Sequence, residues 1–394
     1  MKLFLFSCVI CAIVAGFLYW NPNEAPDGSL NDKDYRALHR MLDPDFPGHG
    51  KVDYGDHREE HIAKGYAMVL KGELNRKRVG AMPDLPYLIE PSGRWLIENS
   101  DQDGDSVIGW GVPLSWDAFG DGSENPANAE YTISTAIVID ALLDWRGLDL
   151  AAPTDKIDEV VLASLMPYLD DKVLSPSGMF PYSLEEADRF YDVFNPAAYL
   201  AGQMQRFSNY VESEKIVKRL QNEADKTILA LIEHRKSDTD GGWYWGYSLQ
   251  EDHIPNDVAH AVYIMSGLKV YVENDGKYSS QIDLERVISH LGQFRSRETN
   301  YLLGWPRFRE DIKLPARSYG LGMALSFASQ LDAPPPALLD LVRFASLYKT
   351  KEGGYTKYPN QSVRGMPKTN SSGRMIIGEY ENYMLSGLSY YLFK

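Results

Sequence analysis

The sequence has very little cysteine: both cysteines, Cys8 and Cys11, lie within the first 20 of 394 residues. The rest of the chain therefore cannot form a disulfide framework, a cysteine-based zinc site or a cysteine nucleophile. Positive charge is also in deficit, because 40 Lys and Arg residues accompany 55 Asp and Glu residues. A generic nucleic-acid binder has the opposite balance, so we expect no nucleic-acid partner. A phosphate-binding glycine motif and a nucleophile elbow are absent as well.

Long apolar runs are limited to one uncharged stretch, Leu3 to Trp20. Such a segment is a signal peptide or a membrane anchor and does not belong to the fold. Either interpretation predicts an extracytoplasmic body (periplasmic, secreted or lumenal), with membrane contact only through residues 1–20 if they are not cleaved. Residues 21–56 are rich in Pro, Gly, Asn and Asp, which predicts a tether or a surface strap.

Aromatic residues are abundant, with 8 Trp, 25 Tyr and 14 Phe. A ring with a polar group suits a wet groove better than a dry core, so the excess of Tyr over Phe points to a binding surface. The hydrophobic fraction of 44% is ordinary for a globular protein and too high for a disordered one.

An internal repeat with a period near 60 residues runs through the chain after residue 57. The segment Ser266-Gly267-Leu268 recurs as Ser386-Gly387-Leu388 at an offset of 120 residues, and Arg317 corresponds to Asp257 at half that offset. These segments are apolar or small on all sides, as expected for helices that are buried all round. Amphipathic stretches that predict outer helices alternate with them, at residues 57–78, 157–173, 212–235, 281–297 and 336–349.

Each repeat unit therefore consists of an outer helix, a loop and an inner helix. Five to six such hairpins predict an all-α fold, an α/α toroid, in a single domain over residues 57–394. An open solenoid would need polar capping repeats, and the last helix, 380–393, is not polar. In a closed toroid all the loops that lead from outer to inner helices emerge on one face and converge on a funnel.

Those loops share glycine followed by aromatic residues, as in Gly109-Trp110-Gly111 and Gly304-Trp305-Pro306. With the helix-pair repeat, they resemble the α/α-toroid carbohydrate-active enzymes: toroidal polysaccharide lyases, toroidal glycoside hydrolases and the helical domain of glucuronyl C5-epimerases. The resemblance covers residues 57–394 and implies a polysaccharide substrate, but no single-family signature is matched that would transfer a catalytic residue. The side chains that we expect to bind sugar are Trp110, Trp116, Tyr182, Trp243, Tyr244, Trp245, Trp305, Arg307 and Arg309.

Residues 251–260 contain the richest chemistry, and Asn256 and His260 share a helix face because they are four apart. An enzyme that acts on a uronic acid by β-elimination or C5 epimerisation must neutralise the carboxylate and remove the C5 proton. Asn, His and Arg can do the first, and Tyr or His the second. The repeat aligns Tyr380 with His260. The predicted catalytic residues are therefore Asn256, His260, Arg317 and Tyr380, with helix capping and core packing as the alternative interpretation.

Two other functions remain open. A glycoside hydrolase on the same fold would use a pair of carboxylates, for which the candidates are Asp117, Glu130, Asp257 and Glu381. A non-catalytic protein for glycan binding or export assembly would use the aromatic residues for binding alone.

One short acidic run, Asn99 to Asp105, resembles the start of a calcium loop. The twelfth position, counted from Asn99, should be acidic but is Trp110. A polar turn is the simpler interpretation, so we expect neither a cofactor nor a metal, with calcium as the alternative.

Overall fold

The computed structural model describes residues 30–296, 302–309, 311–312, 314–332, 337–360 and 371–394. The segment predicted to be a signal peptide or anchor lies outside the described residues. The described residues form twelve α-helices and two small two-stranded sheets, so the predicted all-α class is confirmed. No helix in this part of the chain combines the length and apolarity that crossing a membrane requires.

The helices form an inner and an outer layer. The inner helices are α2 (Ala63–Arg78), α4 (Thr132–Leu148), α6 (Phe194–Phe207), α8 (Val258–Glu273), α10 (Ser318–Ser329) and α12 (Gly378–Leu392). The outer helices are α1 (Asp32–Met41), α3 (Ile89–Glu98), α5 (Thr154–Leu165), α7 (Glu214–Glu233), α9 (Leu284–Ser289) and α11 (Ala337–Ala345). Strand β1 (His49–Lys51) pairs antiparallel with β2 (Glu59–His61), and β3 (Lys236–Ser237) with β4 (Trp243–Tyr244).

The inner helices form a closed ring, in which each packs against the next and α12 packs against α2. Asn75 helps to close the ring, since its Nδ2 donates to the carbonyl oxygens of Ser389 and Phe393 at 3.0 and 3.1 Å. Six helical hairpins built from the described residues thus form an α/α toroid, as the period near 60 residues predicts.

The repeated Ser-Gly-Leu segment has a packing explanation. A Cβ atom on Gly267 would lie 2.1 Å from the carbonyl oxygen of Ala198, and one on Gly387 would lie 2.7 Å from that of Gly322. Only glycine lets α8 approach α6, and α12 approach α10, this closely. The repeat in the sequence therefore marks the points where inner helices touch.

The first hairpin differs from the prediction. Residues 57–78 were expected to form an outer helix, but α2 is an inner helix in which half of the charged residues are buried. Lys71 and Arg76, for example, are paired inside the protein. The matching outer helix is α1, which lies in the segment predicted to be a tether or strap. Tyr35 and Leu38 of α1 are fully buried, because this helix packs against α12.

Candidate active site

A cavity of about 420 Å³ lies at the end of the ring where the inner helices begin. The loops that lead from outer to inner helices surround it, as the toroid predicts. Its aromatic lining consists of Tyr54, Trp116, Tyr131, Tyr182, Tyr247, Tyr263, Trp305, Tyr319 and Tyr380, and its charged or ionisable lining of Lys64, Glu251, Asp257, His260, Arg317 and Glu379. Seven of the described tyrosines therefore converge here, which accounts for part of the tyrosine excess.

A histidine–aspartate pair forms one wall of the cavity. Asp257 caps α8, and its Oδ1 accepts a hydrogen bond from the backbone N–H of His260 at 3.0 Å. The same oxygen lies 2.9 Å from Nδ1 of His260, whose side chain is 29% exposed. With its proton on Nδ1, the ring has Nε2 as the nitrogen that can accept a proton.

Asp257 stays ionised beside this histidine. Burial alone would raise the pKa of Asp257, but the charge of His260 and its hydrogen bonds outweigh burial, so the pKa lies below its ordinary value. A carboxylate that remains charged fixes the ring orientation and stabilises the imidazolium that forms when His260 takes up a proton.

The next inner helix along the ring brings Arg317 to the same cavity, directly before the first residue of α10. Its Nη1 donates to the hydroxyl of Tyr54 at 3.1 Å and lies 3.7 Å from Oδ2 of Asp53. Asp53 is itself buried and accepts from Lys357 at 2.6 Å and from the Tyr380 hydroxyl. Both contacts of Arg317 use Nη1, so Nε and Nη2 have no hydrogen-bond partner among the described residues.

Tyr380 lines the cavity as predicted, but it is not suited to be the base. Burial and the negative charge of Asp53 raise the pKa of its hydroxyl well above the ordinary value. Since this hydroxyl keeps its proton and donates a hydrogen bond to Asp53, Tyr380 positions Asp53 and hence Arg317. A further ion pair, Lys64 with Glu379 at 2.8 Å, joins the starts of α2 and α12 at the same end.

Three of the predicted sugar-binding aromatics, Trp116, Tyr182 and Trp305, line the cavity. Two others serve the core instead. The indole nitrogen of Trp110 donates to the carbonyl of Leu96 at 3.0 Å, and that of Trp245 donates to the carbonyl of Leu231 at 2.8 Å. Each tryptophan is almost fully buried and ties a loop to a preceding outer helix, so the glycine–aromatic motif is chiefly a packing motif.

The remaining predicted binding residues lie away from the cavity. Trp243 is buried under the guanidinium groups of Arg235 and Arg286, and Tyr244 stacks on His290 at 5.3 Å. The two arginines make local contacts: Arg307 binds the carbonyl of Gly292 and the carboxylate of Asp240, and Arg309 forms a two-pronged pair with Asp311.

Asn256 is also structural. It is 3% exposed, and its Nδ2 donates to the carbonyl of Gly246 at 2.7 Å behind the cavity wall. Of the alternative acid–base residues, only Asp257 lines the cavity. Asp117 holds a tight turn by accepting from three backbone N–H groups, whereas Glu130 and Glu381 are buried outside the lining.

The sequence analysis missed Asp53, Tyr54, Lys64 and Tyr319. The first two lie in the segment taken as a strap, where no periodicity marks them. Tyr319 comes two residues after Arg317, and its ring stacks on Tyr380 at 4.9 Å. The tyrosine excess was the available signal, because it indicated a wet aromatic surface without indicating which tyrosines formed it.

Comparison with protein-family models and with curated protein sequences gives no match. Comparison with solved structures gives many. An α-1,6-mannanase of Salegentibacter sp. HEL1_6, solved with α-1,6-mannotriose, is 10% identical with a TM-score of 0.56, over 91% of this chain and 98% of that one. Cellobiose 2-epimerase from Bacillus thermoamylovorans B4167 is 12% identical with a TM-score of 0.53, over 90% and 98%.

An unsaturated glucuronyl hydrolase specific for heparin is 10% identical with a TM-score of 0.53, over 91% of this chain and 94% of that one. At such identities the similarity concerns the fold and not the chemistry. In fold, this chain is an α/α toroid of the kind found in carbohydrate-active enzymes.

Proposed function

We propose that this protein is a carbohydrate-active enzyme that removes a proton from a sugar carbon next to a carboxylate, as a uronate lyase or a C5-epimerase. The observation that carries the proposal is the presence of His260, oriented by Asp257, in the same cavity as Arg317. The first supplies a base and the second a partner for a carboxylate, and these are the two requirements of C5–H chemistry.

His260 is the proposed base. Its Nδ1 is held by Asp257 at 2.9 Å, which leaves Nε2 to accept the C5 proton. In a lyase the C4–O bond then breaks as the C4–C5 double bond forms, and the departing oxygen takes up a proton from the imidazolium or from water. In an epimerase a proton returns to C5 from the other face. Both reactions begin with the same step at the same nitrogen.

Arg317 is the proposed carboxylate partner. A guanidinium group can donate two parallel hydrogen bonds to a carboxylate and stabilise the negative charge that develops when the adjacent proton leaves. The inner helices also begin at this cavity, so their dipoles add positive potential there. These features offset the acidic net charge of the chain at the point where an anionic sugar would bind.

The aromatic lining supports a sugar substrate, because Trp116, Trp305 and Tyr182 offer faces on which pyranose rings can stack. Among solved structures with this fold, one is an epimerase and another a glucuronyl hydrolase, which agrees with sugar chemistry of this kind. The uncharged stretch 3–20 supports an extracytoplasmic location, where polysaccharides are exposed.

The proposal is tested by incubating the purified protein with a panel of uronate polysaccharides. Three signals are followed: absorbance of an unsaturated product, new reducing ends, and deuterium incorporation from heavy water. Absorbance together with new ends identifies a lyase, and deuterium incorporation without new ends identifies an epimerase. None of the three signals on any uronate polymer would overturn the proposal in favour of a glycan-binding protein.

A hydrolase is the second candidate, because Glu251, Asp257 and Glu379 place three carboxylates on the cavity wall. New reducing ends without unsaturated product would identify it. Against it, Asp257 has a lowered pKa, whereas a general acid needs a raised one, and Glu379 is already paired with Lys64.

A further inference from the structure

The loop between α3 and α4 gathers negative charge away from the cavity. Carboxylate oxygens of Asp101, Asp103 and Asp105 all lie within 4.8 Å of one another. The backbone N–H of Gly109 donates to the carbonyl of Ser100 at 2.8 Å, so the two ends of the loop are held together. Oδ1 of Asp103 is buried and has no hydrogen-bond partner among the described residues.

A further carboxyl group, that of Glu130, lies beside the loop but outside the group of three whose oxygens lie within 4.8 Å of one another. Glu130 is 3% exposed, and its Oε1 has no partner in the described part of the chain. A Cβ atom on Gly109 would lie 2.5 Å from Cγ of Glu130, so this side chain runs directly against the base of the loop. A buried carboxylate oxygen without a partner is costly, and a cation in the loop would remove that cost.

The carboxylates act on one another electrostatically. Burial raises the pKa of Glu130 to about 8, and the largest charge effects that add to it come from Asp103 and Asp105. The same two aspartates, after burial, also raise the pKa of Glu185, the other acidic residue beside the loop. At neutral pH Glu130 therefore holds a proton, which leaves when its carboxylate binds a cation.

We propose that Asp101, Asp103 and Asp105 bind a calcium ion and that Glu130 joins them as a fourth ligand by turning its carboxyl group toward the loop. Glu130 supplies the acidic ligand that the loop lacks at its twelfth position, from a residue that lies far along the sequence but beside the loop in the fold. Calcium fits better than magnesium, because it accepts six to eight oxygen ligands in a flexible arrangement, whereas magnesium requires a strict octahedron and retains water.

The site would connect the loop to the cavity without taking part in the chemistry. Glu130 directly precedes Tyr131, which lines the cavity, and α4 begins one residue later. A bound ion would thus hold the α3–α4 loop against the start of an inner helix. The inference is independent of the proposed reaction, since calcium binding is measured without substrate.

The test uses the full chain after removal of metals with EGTA. Thermal unfolding and titration calorimetry are recorded with CaCl₂ and with MgCl₂. We expect calcium to raise the unfolding temperature by several degrees at millimolar concentration and to bind with a Kd of about 10⁻⁴–10⁻³ M, with magnesium much weaker. Terbium is a second probe, because Trp110 at the end of the loop can sensitise its luminescence and calcium should quench that signal by competition.

Two variants and a matched control locate the site. Asp103→Asn and Glu130→Gln should each weaken calcium binding about tenfold or more, as loss of a ligand does. Asp170→Asn removes one charge from another surface turn, where Asp170 accepts from the backbone N–H of Lys172, and should bind calcium like the wild type. Circular dichroism checks that each variant is folded.

Three results would overturn the proposal: equal effects of calcium and magnesium, no terbium signal displaced by calcium, or wild-type affinity in Asp103→Asn. Wild-type affinity in Glu130→Gln alone would overturn the assignment of Glu130 as the missing ligand.

Discussion

The two ends of the inner-helix ring hold cavities of contrasting character. At the end where the helices begin, the cavity of about 420 Å³ is lined by tyrosines, and His260 and Arg317 have donors or acceptors to spare. At the other end, a cavity of about 270 Å³ contains Lys71, Asp140, Asp144 and Arg206. Between the two cavities, the hydroxyl oxygens of Tyr263 and Tyr383 form a hydrogen bond of 2.9 Å.

The charged side chains at the second end form ion pairs with one another. Lys71 contacts Asp140 and lies 2.8 Å from Asp144, while Arg206 binds the same two carboxylates at 3.1 and 2.9 Å. The hydroxyl of Tyr199 donates a further hydrogen bond to Asp140 at 2.8 Å. The comparison shows that charge inside a toroid has two uses: a closed network stabilises the ring, whereas incomplete pairing leaves groups available to a ligand.

The largest expected effect is the loss of activity on removal of His260, and it distinguishes a residue that acts on a ligand from one that only stabilises the fold. His260→Gln should lower kcat/KM by about 10²–10⁴-fold, because it removes the general base. The free energy of unfolding should change little, since this side chain is partly exposed. Steady-state kinetics on the best uronate substrate and urea denaturation provide the two measurements.

His290→Gln is the matched control for that change. His290 makes the same kind of contact, with Nδ1 2.8 Å from Asp238, but it is buried and lies outside the cavity. Its loss should lower stability and leave the activity of the folded fraction intact. Equal loss of activity in both variants would contradict the assignment of His260.

Lys71→Met tests the charge network at the second end of the ring, where the inner helices finish. Removing one partner from a buried network leaves Asp140 and Asp144 uncompensated, so we expect a loss of about 3–5 kcal/mol in the free energy of unfolding. Urea denaturation measures it. Lys77→Met changes the same residue type on the same helix, at an exposed pair with Asp149, and should cost less than about 1 kcal/mol. Similar costs for the two variants would show that the network is not a structural core.

Arg317→Lys tests the guanidinium group at the cavity where the inner helices begin. The charge remains but the two-pronged geometry is lost, which should lower kcat/KM by about 10–100-fold on a uronate substrate. Arg309→Lys alters a partly exposed arginine that is paired with Asp311 outside the cavity, and it should have no kinetic effect. An unchanged kcat/KM in Arg317→Lys would remove this residue from carboxylate binding.

Glu381→Gln gives the smallest effect, on the pH dependence of stability. This carboxyl group lies at the end of the ring where the inner helices begin, but outside the cavity. Burial raises the pKa of Glu381 to about 7, so the folded protein holds a proton that the unfolded chain releases above its ordinary pKa. Stability therefore falls as the pH rises from about 5 to about 7, by up to about 1.4 kcal/mol per pH unit.

Urea denaturation between pH 5 and pH 8 should show a flatter profile in Glu381→Gln than in the wild type. Glu352→Gln, at an exposed position, should retain the wild-type slope. Identical slopes in all three proteins would mean that Glu381 is ionised in the fold.

The toroid could be predicted because its repeat leaves a mark on the sequence. Gly267 and Gly387 are required where inner helices touch, so the same small-residue pattern recurs in register. The first hairpin left no such mark. The charged residues of α2 imitate an outer helix, and only the fold shows that Lys71 is paired within the ring.

The lining of the cavity could be predicted where chemistry and repeat position coincide, as for His260, Asp257 and Arg317. It was not predictable where one residue type serves two purposes. Trp110 and Trp305 occur in similar glycine-containing loops, yet the first points into the core and the second into the cavity. Asp53 and Tyr54 could not be found, because the path of an irregular segment brings Tyr54 to the cavity and Asp53 beside Arg317.

The closure of the ring has a consequence for how the chain folds. Asn75 and Ser389, which meet where α2 contacts α12, are separated by 314 residues. Loop-closure entropy must be overcome before such a contact forms, and non-local contacts slow folding. Until this contact forms, both helices expose surface that the closed ring buries, and such intermediates aggregate readily. We therefore expect the contact between α2 and α12 to limit the rate of folding, and the open ring to be the state most prone to aggregation.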